Sequence, residues 1–389
     1  MKCAIINVKN KSASVGGPAG YLFNLYSGAD DIKDFPDFKY LIENKLENGG
    51  MTSNTESKVT KIKELLPSVR EFLYFFKQGH FFKNKFGEEI KEYDLIHVHT
   101  TETLLYLRWF CKYKGRVIFT PHRPETVREE LVAVMRRKKK GTYHLLGKWY
   151  DFLESNSYRL ADAFIFPSEG AMEIYKSFPG FTKYLAGKEV RFLYTGIRKK
   201  EITLSREEYR LKNNINNEAF VISYIGRHNA IKGYDRLVNV FPKFEKDNVE
   251  FVIAGKIESD DYPKNERWHE LGYISDAQNL MNASDVIVIP NRNTYFDLVI
   301  LEALSLGKIV ITSNTGGNID ISKDTDALVL FDNYEEESLF RAISKIKNMS
   351  NDSRNVLEEA ALHFYKENCT EQIFANNYIR IINEIKERI

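Results

Sequence analysis

The chain has 389 residues, 43% of them hydrophobic and 28% charged, with a formal net charge of +2. That length exceeds one comfortable core and predicts two domains of roughly 150–200 residues. The composition excludes a disordered or fibrous chain, and so small a net charge leaves partner choice to local patches. Cys3, Cys111 and Cys369 lie far apart without CxxC spacing, which argues against a disulfide framework or a zinc site and fits a reducing, cytoplasmic compartment. No run approaches the roughly 18 apolar residues of a membrane span.

The first nine residues are too short an apolar run for a signal peptide and read as a first strand at 4–8. Brief, branched runs at 95–98, 117–120, 163–167 and 190–194 have the look of buried parallel strands. The pattern resumes at 220–225, 249–254, 286–290, 308–312 and 327–331, with helical stretches such as 234–241 and 338–349 between. Strands separated by helices predict right-handed βαβ units and two open, doubly wound α/β sheets. The polar segment 198–217 reads as the linker, giving domains at 1–197 and 218–370. A last helix at 371–389, with Phe374, Tyr378, Ile381, Ile382 and Ile385 about one turn apart, is placed to cross back to the first domain.

In open α/β sheets ligands bind beyond the carboxyl ends of the strands, and the informative residues cluster there. Gly16 and Gly17 follow the first strand and precede an apolar helix, so their amides can approach an anion. The spacing is not GxGxxG, and a plain turn is the alternative. Gly226-Arg227 and Lys232-Gly233 end the strand at 220–225 and put two cations on one loop, suited to a diphosphate. His122 follows the strand at 117–120 and faces the cleft side, with a hydrogen-bonded structural histidine as the alternative. His97 and His99 share one strand face and read as structural. The loop at 313–318 offers small residues and free amides to a sugar or phosphate. Glu302 is a lone carboxylate in a greasy helix, with Leu298, Val299 and Leu306 three or four positions away. A charge in such company is costly unless a polar group, such as a ribose or sugar hydroxyl, meets it.

Taken together these residues resemble the retaining glycosyltransferases of family four, with the GT-B fold of two Rossmann-like domains facing across a cleft. The likeness is strongest over 220–331 and thinner in the first half. It implies a metal-independent enzyme that moves a hexose-type sugar from a UDP- or GDP-sugar, with no separate cofactor. Arg227 and Lys232 would grip the diphosphate and Glu302 the ribose. Leu271, Tyr273 and Ile274 would lie near the base, the backbone around Thr294, Phe296 and Leu298 near the sugar and phosphate, and His122 against the transferred sugar. One departure stands out. The first of the family's two glutamates falls on Thr294, eight positions before Glu302, and its usual Gly-Phe-Gly becomes Tyr295-Phe296-Asp297. Asp297 is expected to supply the missing carboxylate and to alter sugar preference. The alternatives are a non-catalytic binding subunit or, less well matched, a nucleotide-sugar epimerase.

Two first-half stretches point to the acceptor side. Residues 71–86 interleave aromatics with lysines, and 136–140 is an unbroken basic run. Aromatic bodies with cationic tips suit an anionic membrane, worth about 1 kcal/mol per basic residue; the alternative is a solvated loop for the basic run and ordinary core packing for the aromatics. The resemblance adds a glycan or lipid-linked acceptor at the inner face of the cell membrane, in surface polysaccharide synthesis. No nucleic-acid module accompanies the basic run.

Overall fold

The computed structural model describes residues 2–9, 18–30, 32–33, 35–42, 67–129, 143–258 and 262–387. Gly16, Gly17 and the basic run at 136–140 lie outside the described residues. The first sheet comprises β1 (Cys3–Lys9), β2 (Asp37–Ile42), β3 (Leu95–Val98), β4 (Arg116–Phe119), β5 (Ala163–Phe166) and β6 (Glu189–Phe192). The second comprises β7 (Phe220–Ile225), β8 (Val249–Ala254), β9 (Trp268–Gly272), β10 (Val286–Ile289), β11 (Ile309–Ser313) and β12 (Leu328–Phe331). Their orders are β2-β1-β3-β4-β5-β6 and β12-β11-β10-β7-β8-β9, and the pairings are parallel throughout.

Alternate residues feed opposite faces, as the two-residue period of a strand requires. Ile6, Ile96, Val117 and Phe164 pack on one side of the first sheet beneath Phe75, Phe82 and Phe86 of the helix Pro67–Phe86. Ile5, Leu95, Ile118 and Ile165 pack on the other. Because both faces are covered, strands such as β10 (Val-Ile-Val-Ile) are buried at every position. Two strands the sequence did not announce, β2 and β9, are sheet edges. In β9 only Trp268 is fully buried, so the pattern that identifies the inner strands is absent there.

The polar segment 198–217 is more than a linker. It contains the helix Arg206–Lys212, opened by a capping box between Ser205 and Glu208. Arg210, only 1% exposed, donates to the carbonyls of Ala283 (2.8 Å), Asn217 (2.8 Å) and Ala219 (3.0 Å) and to the Asp285 carboxylate (2.9 Å). A polar composition here reflects a buried, fully bonded guanidinium that fastens the segment to the second sheet.

The chain recrosses near Ile197, whose N–H donates to the Cys369 carbonyl at 2.8 Å and whose carbonyl accepts from the Tyr365 hydroxyl at 3.0 Å. The helix Glu371–Glu387 then packs on the helix Pro18–Ser27. It buries Phe374, Tyr378, Ile381, Ile382 and Ile385 against the first sheet. Among the described residues no helix is long and apolar enough to cross a membrane.

Candidate active site

The carboxyl ends of β7 and β10 meet across a tight backbone contact. Gly233 has φ +68°, and a Cβ there would lie 1.8 Å from the Pro290 carbonyl oxygen; only glycine fits. The contact brings the loop carrying Arg227 and Lys232 beside the loop carrying Thr294 and Asp297. Lys232 Nζ lies 3.3 Å from Asp297 Oδ1. The other Asp297 oxygen accepts from Thr294 Oγ1 and Asn291 Nδ2, each at 2.5 Å. Asp297 is therefore engaged by three donors of its own lobe. Arg227, by contrast, is exposed, and its guanidinium has no hydrogen bond or ion pair among the described residues. Its carbonyl accepts from the Tyr224 hydroxyl at 2.7 Å, which fixes the loop's backbone and leaves the side chain to solvent.

Glu302, on the helix Leu298–Ser305, meets its polar partner in Lys200 at 2.9 Å. Leu298 and Val299 are half-buried against the cluster around Ile300 and Leu301. Leu271 and Ile274 pack beside β7 and β8, and Tyr273 is 83% exposed. Gly226 follows β7, where Gly255 approaches so closely that an added Cβ would sit 1.8 Å from the Gly226 oxygen.

The loop after β10 also reaches the first lobe: Asn293 Nδ2 donates to the Pro124 carbonyl at 2.7 Å. So does the helix Asn318–Asp324 after β11, whose Asp320 accepts from the Gly170 N–H at 2.6 Å. Phe296 stacks on Tyr194, centroids 5.9 Å apart. Tyr295, from the second lobe, joins the first lobe's aromatic cluster, 5.8 Å from Tyr175 and 6.1 Å from His122. His122 Nε2 lies 3.0 Å from His99 Nδ1. His97 bridges Tyr378 Oη (2.9 Å) and Thr120 Oγ1 (2.8 Å). The structure thus brings together Arg227, Lys232, Thr294 and Asp297 on one side and His122 on the other. Tyr295 and His99, which sequence reasoning did not place in the site, stand between or behind them. The break in the Gly-Phe-Gly pattern was the available signal for Tyr295. Among the described residues no three His, Cys, Asp or Glu side chains are grouped as a metal site.

Two family models match this chain: Glycosyl transferases group 1 over residues 205–364 and Glycosyltransferase Family 4 over 50–199. The chain belongs to the group 1, family-four glycosyltransferases. This family member is 32% identical, over 35% of its length and 39% of the relative's, to an uncharacterized glycosyltransferase of Methanocaldococcus jannaschii. It is 30% identical to the capsular polysaccharide biosynthesis glycosyltransferase CapM of Staphylococcus aureus, over 38% of this chain and 43% of that one. The matches therefore span less than half the length of these relatives. The Anabaena protein HepE, solved in complex with UDP, superposes with a TM-score of 0.68 over 99% of this chain and all of that one, at 15% identity. The family member has the GT-B fold.

Burial holds His97 and His122 down at about 3, with the neighbouring His122 adding to the effect at His97. Burial also drives His99 well below the usual imidazole range, helped by the other two rings. All three are neutral at neutral pH. A depressed imidazole takes up its proton more readily in the unfolded chain, so stability is full above about pH 6.5 and falls as pH drops toward about 3. In urea titrations His97→Gln should flatten that fall by up to about 1.4 kcal/mol per pH unit. An unchanged slope would show that His97 is not held neutral.

Proposed function

We propose that this chain is a retaining glycosyltransferase that moves a hexose-type sugar from a UDP- or GDP-sugar to a glycan or lipid-linked acceptor in surface polysaccharide or glycoconjugate synthesis. The observation that carries this reading is the exposed Arg227 guanidinium, without a partner among the described residues, on the same loop as Lys232 at the carboxyl ends of a parallel sheet. Its planar fork matches a phosphate bidentately, and Lys232 adds a compact charge. Support comes from the capsular relative and from the UDP-bound neighbour of the same fold. In the reaction, the bond from the sugar's anomeric carbon to the β-phosphate oxygen breaks. The acceptor oxygen bonds to that carbon on the same face, and the acceptor proton passes to the departing diphosphate. Arg227 and Lys232 take up the charge that develops on the leaving group. Leu271, Tyr273 and Ile274 would border the base, Glu302 the ribose and His122 the sugar, with no metal required.

A binding role without catalysis is the second reading. It is favoured by Thr294 standing where the family has an acid, and by Asp297 being already engaged by Lys232, Asn291 and Thr294. Transfer assays separate the two. Arg227→Ala should weaken nucleoside diphosphate affinity by about tenfold or more, as loss of a charge-assisted contact implies, and lower turnover without moving the melting temperature. Full activity in that variant would remove the diphosphate assignment. Diphosphate binding without transfer from any donor would favour the binding role.

The acceptor side of the proposal includes an anionic membrane. The helix Pro67–Phe86 buries Phe75, Phe82 and Phe86 but exposes Phe72, Leu73, Tyr74, Phe76 and Phe81 beside Lys77, Lys83 and Lys85. Five exposed large apolar side chains interleaved with lysines on one helix are uncommon unless something covers them, and the mixture suits a lipid interface. Co-sedimentation with phosphatidylglycerol vesicles should fall about tenfold on Leu73→Glu with Tyr74→Glu, because each exchanges an apolar contact for a repelled charge. Equal sedimentation of the variant would end the membrane assignment.

A further inference from the structure

Three side chains around His122 each carry a polar atom without a partner among the described residues. Tyr21 Oη, His99 Nε2 and Tyr295 Oη are buried and make no hydrogen bond among the described residues, on side chains 4%, 2% and 7% exposed. The Tyr21 ring centroid is 5.1 Å from that of His99 and 5.0 Å from that of His122. The Tyr295 ring is 6.1 Å from His122, and Tyr21 is near enough to help raise the pKa of the Tyr295 phenol, which burial dominates. They come from three places: the helix Pro18–Ser27, the residue after β3, and the second lobe's loop after β10. Only apposition of the lobes assembles them.

Each buried donor or acceptor left unpaired costs roughly 1–3 kcal/mol. Packing alone does not call for that cost, since phenylalanine at positions 21 and 295 would fill the same volume without it. The group carries no cation for a phosphate and no carboxylate for a metal or an amine. What it offers is two phenols, each able to donate and accept, and a pair of imidazoles. Because His99 Nδ1 and His122 Nε2 share one hydrogen bond, two neutral rings must present one N–H and one bare nitrogen at their far sides. That set, with aromatic faces beside it, suits a neutral polyol.

We propose that Tyr21, His99 and Tyr295 form, around His122, a hydroxyl-binding sub-site for the sugar part of the donor, and that Tyr295 is a specificity-determining residue. The proposal rests on the transferase reading above. It makes the tyrosine that replaces the family's glycine a contributor of sugar contacts in place of the acid missing at Thr294.

The test removes hydroxyls and nothing else: Tyr21→Phe, Tyr295→Phe and the double variant. Melting temperature should hold or rise, because an unpaired group is lost. Affinity for UDP and GDP should stay within about twofold, while affinity for UDP-glucose, UDP-galactose or GDP-mannose, whichever the wild type prefers, should fall about tenfold per hydroxyl. Free hexoses, observed by saturation-transfer NMR, should give a signal with the wild type that the double variant loses. Unchanged donor affinity and hexose signal in the double variant would overturn the sub-site. So would a drop in melting temperature, which would mean that both phenols already have partners, such as water, in the free protein. Failure of the transferase reading looks different: the wild type would bind no nucleoside diphosphate, and the hexose arm would still decide the sub-site.

Discussion

The 3.3 Å contact between Lys232 and Asp297 joins the loops that leave β7 and β10, and the mouth of the second sheet takes its shape from it. Both partners are partly exposed, with side-chain exposures of 28% and 13%. Such a pair is worth about 0–1 kcal/mol, whereas a charge-assisted phosphate contact is worth roughly 1.5–3 kcal/mol. Lys232 is thus held in place by a weak pair, and on the proposed reading an incoming diphosphate would outcompete the carboxylate. Gly233 makes this arrangement accessible, because no side chain could stand against the Pro290 carbonyl. Arg227, on the same loop and without a competing carboxylate among the described residues, is the cation open to an anion.

The same loop that positions Asp297 carries Tyr295 into the other lobe. Asn293, Tyr295 and Phe296 each touch first-lobe groups, and Gly316, at φ +55°, lies so close that a Cβ would come within 2.0 Å of the Thr294 oxygen. Residues 293–296 therefore bridge the lobes. On one side Thr294 bonds Asp297, the partner of Lys232, and on the other Tyr295 stands beside His122. The carboxy-terminal helix braces the far end, since Tyr378 bonds His97 and Phe374 packs edge-on against Tyr21 at 4.9 Å.

The inner strands were legible because a parallel sheet covered on both faces demands unbroken apolar runs, as in β5 and β10. The edge strands β2 and β9 were not, since Asp37 and Lys39 in one and His269 and Glu270 in the other interrupt the apolar run that marks an inner strand. Arg210 misled in the opposite direction: a charged residue in a polar stretch reads as solvated, yet its donors are matched to carbonyls in the fold. Within the site, cations after strands were readable from chemistry and spacing. Asp297 was readable as a carboxylate but not as one shared among Lys232, Thr294 and Asn291, because that depends on distances between separate loops. His99 carried no sequence signal beyond its alternation with His97. Its bond to His122 arises only where β3 and β4 pair in register.

The central claim is that the second lobe holds a nucleoside diphosphate through its phosphates. Calorimetry of the wild-type chain with UDP and GDP, alongside uridine and guanosine, tests it most directly. The account predicts saturable heat from one diphosphate that is lost when the phosphates are absent and weakens as salt is raised. Equal binding of nucleoside and diphosphate, or no binding of either diphosphate, would contradict it.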